Sequence, residues 1–115
     1  MIFRVLHGRV KPECISIFRG QAAEALERTR RHEGCSFASV GRQAHKDGSE
    51  DIVFVSLWTN LGAVYDWVGG MDLLDSPVIA GGRPDVFVSF DIQHYEVLDH
   101  IAGDLEPALS AAVQS

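Results

Sequence analysis

Four stretches of the chain carry the apolar patterns of β-strands. In residues 2–10 and 50–59, apolar side chains occupy both alternating faces, which predicts strands that are buried on more than one side. Residues 35–45 form a weaker pattern because Gly41 interrupts it, and a KDGS sequence after them predicts a hairpin turn. Residues 86–98 are again rich in β-branched and aromatic side chains. The chain therefore predicts four strands, of which the second and third form a hairpin.

Two further stretches repeat their apolar residues every three or four positions, as amphipathic helices do. The first helix is predicted to begin at Pro12, which suits a first turn, and to end before Gly34, which suits a C-terminal cap. Its predicted buried face consists of Ile15, Phe18, Ala22, Ala25, Leu26 and Thr29. The second helix is predicted to follow a cap at Thr59 or Asn60 and to stop at Gly69. Its predicted buried face consists of Leu61, Val64, Tyr65 and Val68.

The order of these elements is βαββαβ, which predicts an α+β, ferredoxin-like fold: an antiparallel sheet with two helices on one face. Because the helices cover only one face, an apolar second face needs another partner, and a second copy of the sheet is the simplest. We therefore expect residues 1–97 to form one domain that makes a homodimer by sheet-on-sheet packing. Residues 71–85 predict a short helical piece followed by a loop. Residues 98–115 predict a tail that is either a broken helix on the partner subunit or a frayed end.

The length of 115 residues and the formal charge of −6 narrow the class of protein. One domain suits this length, and no apolar run approaches the roughly 20 residues of a membrane span. The first 34 residues contain seven bases and four acids, whereas the remainder contains three bases and twelve acids. A total of only ten bases argues against a nucleic-acid partner. The start of the chain lacks the apolar core of a signal peptide, so we expect a cytoplasmic protein in which Cys14 and Cys35 are reduced. No spacing of His and Cys predicts a metal site.

Two segments resemble motifs of a known family. The segment LWTNLGAVYDW, Leu57 to Trp67, is similar to the strand-to-helix junction of the antibiotic biosynthesis monooxygenase (ABM) family of dimeric α/β barrels. Trp58, Ala63 and Trp67 match that junction in residue type and spacing. The segment HEGCSFASVGR, which contains Cys35 in place of the usual aromatic or aliphatic residue, resembles the family's entry into the second strand.

Members of this family include monooxygenases that oxidise polycyclic phenols to quinones without a cofactor, and enzymes that degrade haem. The resemblance implies a dimeric α/β barrel over about residues 1–97, with each active site in one subunit's pocket between sheet and helices. Trp58 matches a tryptophan that the quinone-forming members use, whereas Phe54 and Val64 stand where those members have Asn and Tyr. His7 stands where the haem-degrading members have Asn, and their axial His is missing here. The missing His argues against haem degradation, so haem binding ranks third, behind a phenol-oxidising enzyme and a non-catalytic ligand-binding dimer.

These matches, with the chemistry of the side chains, give a predicted site. His7 is the predicted general base, since an imidazole titrates near neutral pH, and its structural alternative is a hydrogen-bonded interior histidine. Trp58 is the predicted stacking wall for an aromatic ligand, or else part of the core. Asp91 either orients His7 or pairs with an arginine across the dimer interface. The remaining candidates are Tyr65 as an orienting hydroxyl, Phe54 as a wall and Arg83 as the partner of an anionic group.

We expect an ABM-like monooxygenase that oxidises a small hydrophobic or aromatic, phenolic compound with O₂ and uses no metal or organic cofactor. The alternative is a non-catalytic dimer of the same fold that binds a small ligand or serves as an accessory protein. A void of a few hundred Å³ that faces His7 would favour the enzyme. A space between sheet and helix already filled by Phe54, Trp58 and Val64 would favour the alternative.

Overall fold

A single sheet of four antiparallel strands forms the centre of the structure, a computed structural model that describes residues 1–69 and 84–98. The strands are β1 (Ile2–Val10), β2 (Cys35–Ala44), β3 (Glu50–Trp58) and β4 (Phe87–Glu96). They lie side by side in the order β2-β3-β1-β4, and every neighbouring pair runs antiparallel. This is the arrangement of a ferredoxin-like sheet, so the predicted fold class is confirmed.

Both predicted helices are present. They are α1 (Ile15–Arg31), which continues from a 3₁₀ turn at Pro12–Cys14, and α2 (Leu61–Val68); a second 3₁₀ turn at Pro84–Val86 leads into β4. Asn60 caps α2, because its side chain accepts a hydrogen bond of 2.9 Å from the backbone N–H of Ala63. Gly69 ends α2 with a left-handed φ of 78°. Among the residues described, neither helix has the length and apolar run that a membrane span needs.

Alternation along the central strand β1 divides its side chains between the two faces of the sheet. The even-numbered residues face the helices, and Leu6 and Val10 are buried there. On the same side α1 contributes most of its predicted buried face: Phe18, Ala22, Ala25 and Thr29 are buried. The main core therefore lies between the sheet and α1, as the helical spacing predicts.

The opposite side of the sheet, which we call the open face, carries the odd-numbered residues of β1 and their neighbours. Its centre is apolar and consists of Phe3, Val5, Val53, Val55 and Leu57. All except Leu57 are only half-buried. The prediction that this sheet is apolar on both faces is therefore confirmed.

One strand departs from its predicted pattern. Strict alternation along residues 86–98 predicts that Phe87 and Phe90 lie on opposite faces, but the pairing of β1 with β4 shifts register near the end of β1. Phe87 consequently lies on the helix side, where its ring centroid is 5.7 Å from that of Phe18. A Cβ on Gly8 would lie 2.9 Å from the Phe87 ring, so the glycine leaves the space that the ring occupies.

Several predictions concern residues outside the described ranges. The helical piece and loop predicted for residues 71–85 lie there, except for the end that forms the second 3₁₀ turn. Arg83 also lies there, as does the predicted tail from residue 99 onward. The domain boundary at residue 97 and the role of the tail therefore stay predictions.

Candidate functional site

The structure places the predicted base and the predicted stacking wall on opposite faces of the sheet. His7 is an odd-numbered residue of β1, so its exposed side chain lies on the open face. Trp58, at the end of β3, lies on the helix side and exposes 0% of its surface. The sheet itself separates the two side chains. A pocket in which His7 deprotonates a ligand stacked on Trp58 is therefore not formed within one subunit.

His7 does lie beside Asp91, the residue predicted to orient it. The two are cross-strand neighbours in β1 and β4, and the Asp91 carboxylate accepts hydrogen bonds of 3.0 and 3.3 Å from the Gln93 amide. His7 also lines a shallow depression of about 260 Å³ together with Asp51. A hydrogen bond from Arg9 holds the pKa of Asp51 at about 2, below its ordinary 3.8. The described residues around this depression include no Trp, Tyr or Phe, so it offers a void near His7 without an aromatic wall.

Tyr65, the predicted orienting hydroxyl, lies on the outside of α2. The predicted buried face of this helix included Leu61 and Tyr65, but these residues are 40% and 51% exposed. The helix instead buries Val64 and Val68 and packs Trp67 against them. Half of the predicted face is therefore wrong. A helix of eight residues can pack through a narrow stripe of side chains, and in α2 the largest ring, that of Trp67, lies against the sheet.

The helix side of the sheet carries an aromatic cluster beneath α2, which we call the tryptophan cluster: Phe54, Trp58 and Trp67. The centroid of the Trp67 ring lies 4.9 Å from that of Trp58 and 6.4 Å from that of Phe54, on which it is stacked. The indole N–H of Trp58 donates a hydrogen bond of 2.8 Å to the hydroxyl of Ser56, and both residues are 0% exposed. Two of the predicted contact residues, Trp58 and Phe54, are therefore brought together.

A buried cation adjoins this cluster. Arg4 lies on the helix side of β1 with 1% of its surface exposed, and its guanidinium carbon is 5.3 Å from the centre of the Trp67 ring. Its cross-strand neighbours are Ser56 in β3 and His94 in β4. The guanidinium donates a hydrogen bond of 3.0 Å to Nε2 of His94. Burial lowers the pKa of Arg4 to about 10, so the group still carries its charge at neutral pH.

His94 is neutral in this arrangement. Burial lowers the pKa of its imidazole below the ordinary 6.5, and the charge of Arg4 lowers it further. Since a guanidinium can only donate, Nε2 of His94 is the acceptor and the proton of the neutral ring lies on Nδ1. The site thus combines flat aromatic walls, a fixed cation and a neutral base next to that cation. Such a set can hold an acidic hydroxyl, accept its proton and stabilise the resulting anion.

A close backbone contact seats α2 over the cluster. Gly34, in the turn after α1, has a φ of 91°, and a Cβ placed on it would lie 2.7 Å from Cβ of Ala63. The Gly34 carbonyl accepts hydrogen bonds of 2.8 and 3.0 Å from the backbone N–H and the hydroxyl of Thr59. Small residues at these two positions let the turn and α2 touch, and α2 then holds Trp67 over the sheet. The two motif segments of the sequence therefore meet in space.

A comparison with protein-family models identifies the family of the chain. The model of the antibiotic biosynthesis monooxygenase family matches residues 1–74, which include both motif segments and the contact between them. The chain belongs to the antibiotic biosynthesis monooxygenase family. No protein of curated function matches this ABM protein.

Solved structures share the fold of this ABM protein over most of its length. A candidate ABM protein from Nitrosomonas europaea has a TM-score of 0.67 at 12% identity and covers 85% of this chain and 99% of its own. Another from Deinococcus radiodurans has a TM-score of 0.66 at 16% identity, with 86% and 94% coverage. A conserved protein from Methanosarcina mazei has a TM-score of 0.61 at 19% identity, with 85% and 94% coverage. At these identities the likeness shows a common fold.

Sequence reasoning missed Arg4 and assigned no role to His94. A signal for Arg4 was available, because it is a charged residue that alternates with apolar ones on the inward face of a strand. No local signal joins it to His94, since 90 positions separate the two residues and only strand pairing brings them together. His94 is not part of a metal-ligand set: within residues 1–69 and 84–98, no three His, Cys, Asp or Glu side chains cluster as one.

Proposed function

We propose that this ABM protein is a cofactor-independent monooxygenase that oxidises a small phenolic compound with O₂ to a quinone. The observation that carries the proposal is the partly buried hydrogen bond between Arg4 and His94, with the Arg4 guanidinium against the ring of Trp67. A phenol suits these groups because it offers an aromatic face to the tryptophan cluster and an acidic hydroxyl to the cation and the imidazole. Membership of the family supports the same reaction class.

The first step is removal of the phenolic proton. The substrate hydroxyl takes the place of His94 on the guanidinium of Arg4, and the freed Nε2 accepts the hydroxyl proton. The guanidinium then holds the phenolate oxygen by a charge-assisted hydrogen bond. A phenolate gives up an electron to O₂ more readily than a phenol does, so the deprotonated ring reacts with O₂ directly.

The overall reaction needs no other reductant. One atom of O₂ becomes the new carbonyl oxygen on the ring carbon. The other atom leaves as water, with the hydrogen displaced from that carbon and the hydrogen of the phenolic hydroxyl. The substrate therefore supplies every electron that reduces O₂.

Oxygen consumption with anthrone, whose enol tautomer is a phenol with a hydrogen on the opposite ring carbon, tests this function. The informative variant is His94→Gln, because a glutamine can still accept the hydrogen bond from Arg4 but cannot take a proton. We expect it to lose at least about 10²-fold in rate. The matched control is His45→Gln, which changes an imidazole at the β2–β3 hairpin, and its rate should equal that of the wild type. Full activity in His94→Gln, or a loss found only in His7→Ala, would contradict the proposed site.

The proposal includes a cytoplasmic homodimer formed through the open face. Its support is the half-buried apolar centre of that face, around Phe3, Val5 and Val53, together with membership of a family whose members are commonly dimeric. Apolar surface of this kind is expected to pack against a partner. Light scattering coupled to size-exclusion chromatography should give a dimer mass for the wild type and a smaller mass for Val53→Lys. A monomeric wild type would contradict this part of the proposal.

A second candidate function is a non-catalytic dimer that binds a small ligand. The observation in its favour is that Phe54, Trp58 and Val64 each expose 1% or less of their surface, so they already fill the space beneath α2. Two of these three positions also lack the polar groups that the resemblance to quinone-forming enzymes leads one to expect. Quenching of tryptophan fluorescence by an aromatic ligand, without oxygen consumption, would favour this function.

A further inference from the structure

A groove between α1 and the edge strand β2 lies apart from the tryptophan cluster. Its volume is about 360 Å³, which is within the range of small-molecule sites. Most of its lining is apolar and consists of Phe18, Ala22, Ala23, Leu26, Val40 and Ile52. An apolar concavity of this size favours a ligand that is apolar over most of its length.

One end of the groove is charged. Arg19 of α1 and Arg42 of β2 both donate to the same carboxylate oxygen, Oε1 of Glu50, at 2.6 and 2.7 Å. Burial of this carboxyl disfavours its charge, but the two arginines outweigh that effect and hold the pKa of Glu50 below its ordinary value. The carboxylate therefore stays ionised at neutral pH and holds two guanidinium groups at the end of the groove.

These three groups carry one positive charge in excess. The side chains of Arg19 and Arg42 are 55% and 58% exposed, so donors beyond those that bind Glu50 face the solvent at the mouth of the groove. The whole chain has a formal charge of −6, and this end of the groove is therefore a local exception. A positive end on an apolar groove is complementary to an anion that carries an apolar tail.

The length of the groove limits the length of that tail. Its lining along α1 runs from Phe18 and Arg19 to Leu26, and the seven residues of helix between Arg19 and Leu26 span roughly 10 Å. A straight chain of about eight carbons, with bonds of about 1.5 Å, has a similar length. We propose that the groove binds a straight-chain aliphatic carboxylate, with the carboxylate on Arg19 and Arg42 and the chain directed toward Leu26. This site shares no residue with the proposed oxidation site, so either proposal can fail without the other.

Titration of the full chain with sodium octanoate, followed by backbone NMR, tests the proposal. We expect saturable binding with shifts at the amides of Leu26 and Val40. Octylammonium has the same length and the opposite charge, and it should bind at least about tenfold more weakly because it loses the charge-assisted hydrogen bonds.

Three variants separate a binding site from an ion pair that only joins α1 to the hairpin. Arg19→Gln removes the excess charge and should weaken octanoate binding about tenfold. Ala23→Leu fills the groove with a good helix former and should abolish binding while the circular dichroism spectrum stays native. Arg28→Gln changes another exposed arginine of α1 that lies outside the groove, and it should bind octanoate as the wild type does.

Four results would contradict the proposed binding site. The proposal is overturned by the absence of saturable octanoate binding, by equal affinities for octanoate and octylammonium, or by equal losses in Arg19→Gln and Arg28→Gln. Retained binding in Ala23→Leu would also overturn it, because the chain would then lie elsewhere. Any of these results would leave the Arg19–Glu50–Arg42 cluster with a purely structural role.

Discussion

Replacing Gly34 with alanine tests how α2 is held over the sheet, because the added methyl group strains the backbone and also collides with a neighbouring side chain. Gly34 has a φ of 91°, a conformation that costs a residue with a side chain about 1–2 kcal/mol. The new Cβ would also lie 2.7 Å from Cβ of Ala63, and overpacking of this kind costs about 1–3 kcal/mol. We therefore expect Gly34→Ala to lower the free energy of unfolding by about 2–5 kcal/mol.

Two comparisons separate these contributions. Gly69 has a similar φ of 78°, but a Cβ there would meet no atom of the described residues within 4 Å, so Gly69→Ala should cost only the backbone part, about 1–2 kcal/mol. In an Ala63→Gly background the clash is removed. Gly34→Ala should then also cost only the backbone part, which gives a coupling energy of about 1–3 kcal/mol in a double-mutant cycle.

The assay is urea unfolding at one fixed protein concentration, since a dimer would make stability depend on concentration. The chain has two tryptophans, and both belong to the tryptophan cluster, so their fluorescence reports on the region that α2 covers. Equal destabilisation by Gly34→Ala and Gly69→Ala would refute the reasoning, as would a coupling energy of zero. Either result would mean that α2 moves away from the turn at little cost.

Three further predictions concern hydrogen bonds and charges. Ser56→Ala leaves the buried indole N–H of Trp58 without its acceptor and should lower the free energy of unfolding by about 1–3 kcal/mol; a neutral effect in urea unfolding would contradict this. Because the pKa of Asp51 is depressed from 3.8 to about 2, its contribution to stability is complete above about pH 4 and is lost as the pH falls toward 2. Asp51→Asn should flatten that part of the stability curve, and an unchanged acid limb would count against the ion pair. Arg4→Met removes a nearby charge and should raise the pKa of His94 toward 6.5 in an NMR titration, so an unmoved midpoint would show that the two residues do not interact.

Local signals in the sequence were enough for most of the fold. Pro12, Asn60 and Gly69 lie at helix ends because each satisfies or removes a backbone group that a helix terminus leaves unpaired. The strands followed from runs of apolar residues, and the motif around Trp58 indicated the family that the comparison with family models shows. The exceptions are residues whose position depends on a partner far away in the sequence. Phe87 is an example, because the face of the sheet on which it lies depends on how β4 pairs with β1.

The site was harder to predict for the same reason. Alternation along β1 sorts its residues into two sets, one with His7 and one with Arg4, and both sets contain large apolar residues. Periodicity alone does not show which set the helices cover. The predicted pocket that combines His7 with Trp58 is not formed, because the two side chains lie on opposite faces of the sheet.

The sequence by itself determined the elements, their order, the family and the fact that both faces of the sheet carry apolar residues. Only the tertiary structure decided that Arg4, and not His7, lies with the tryptophan cluster beneath α2. It also decided that His94, far away along the chain, supplies the imidazole beside that cation. The physical reason is that a strand's pattern fixes only which side chains share a face, whereas helix packing and strand pairing fix what that face meets.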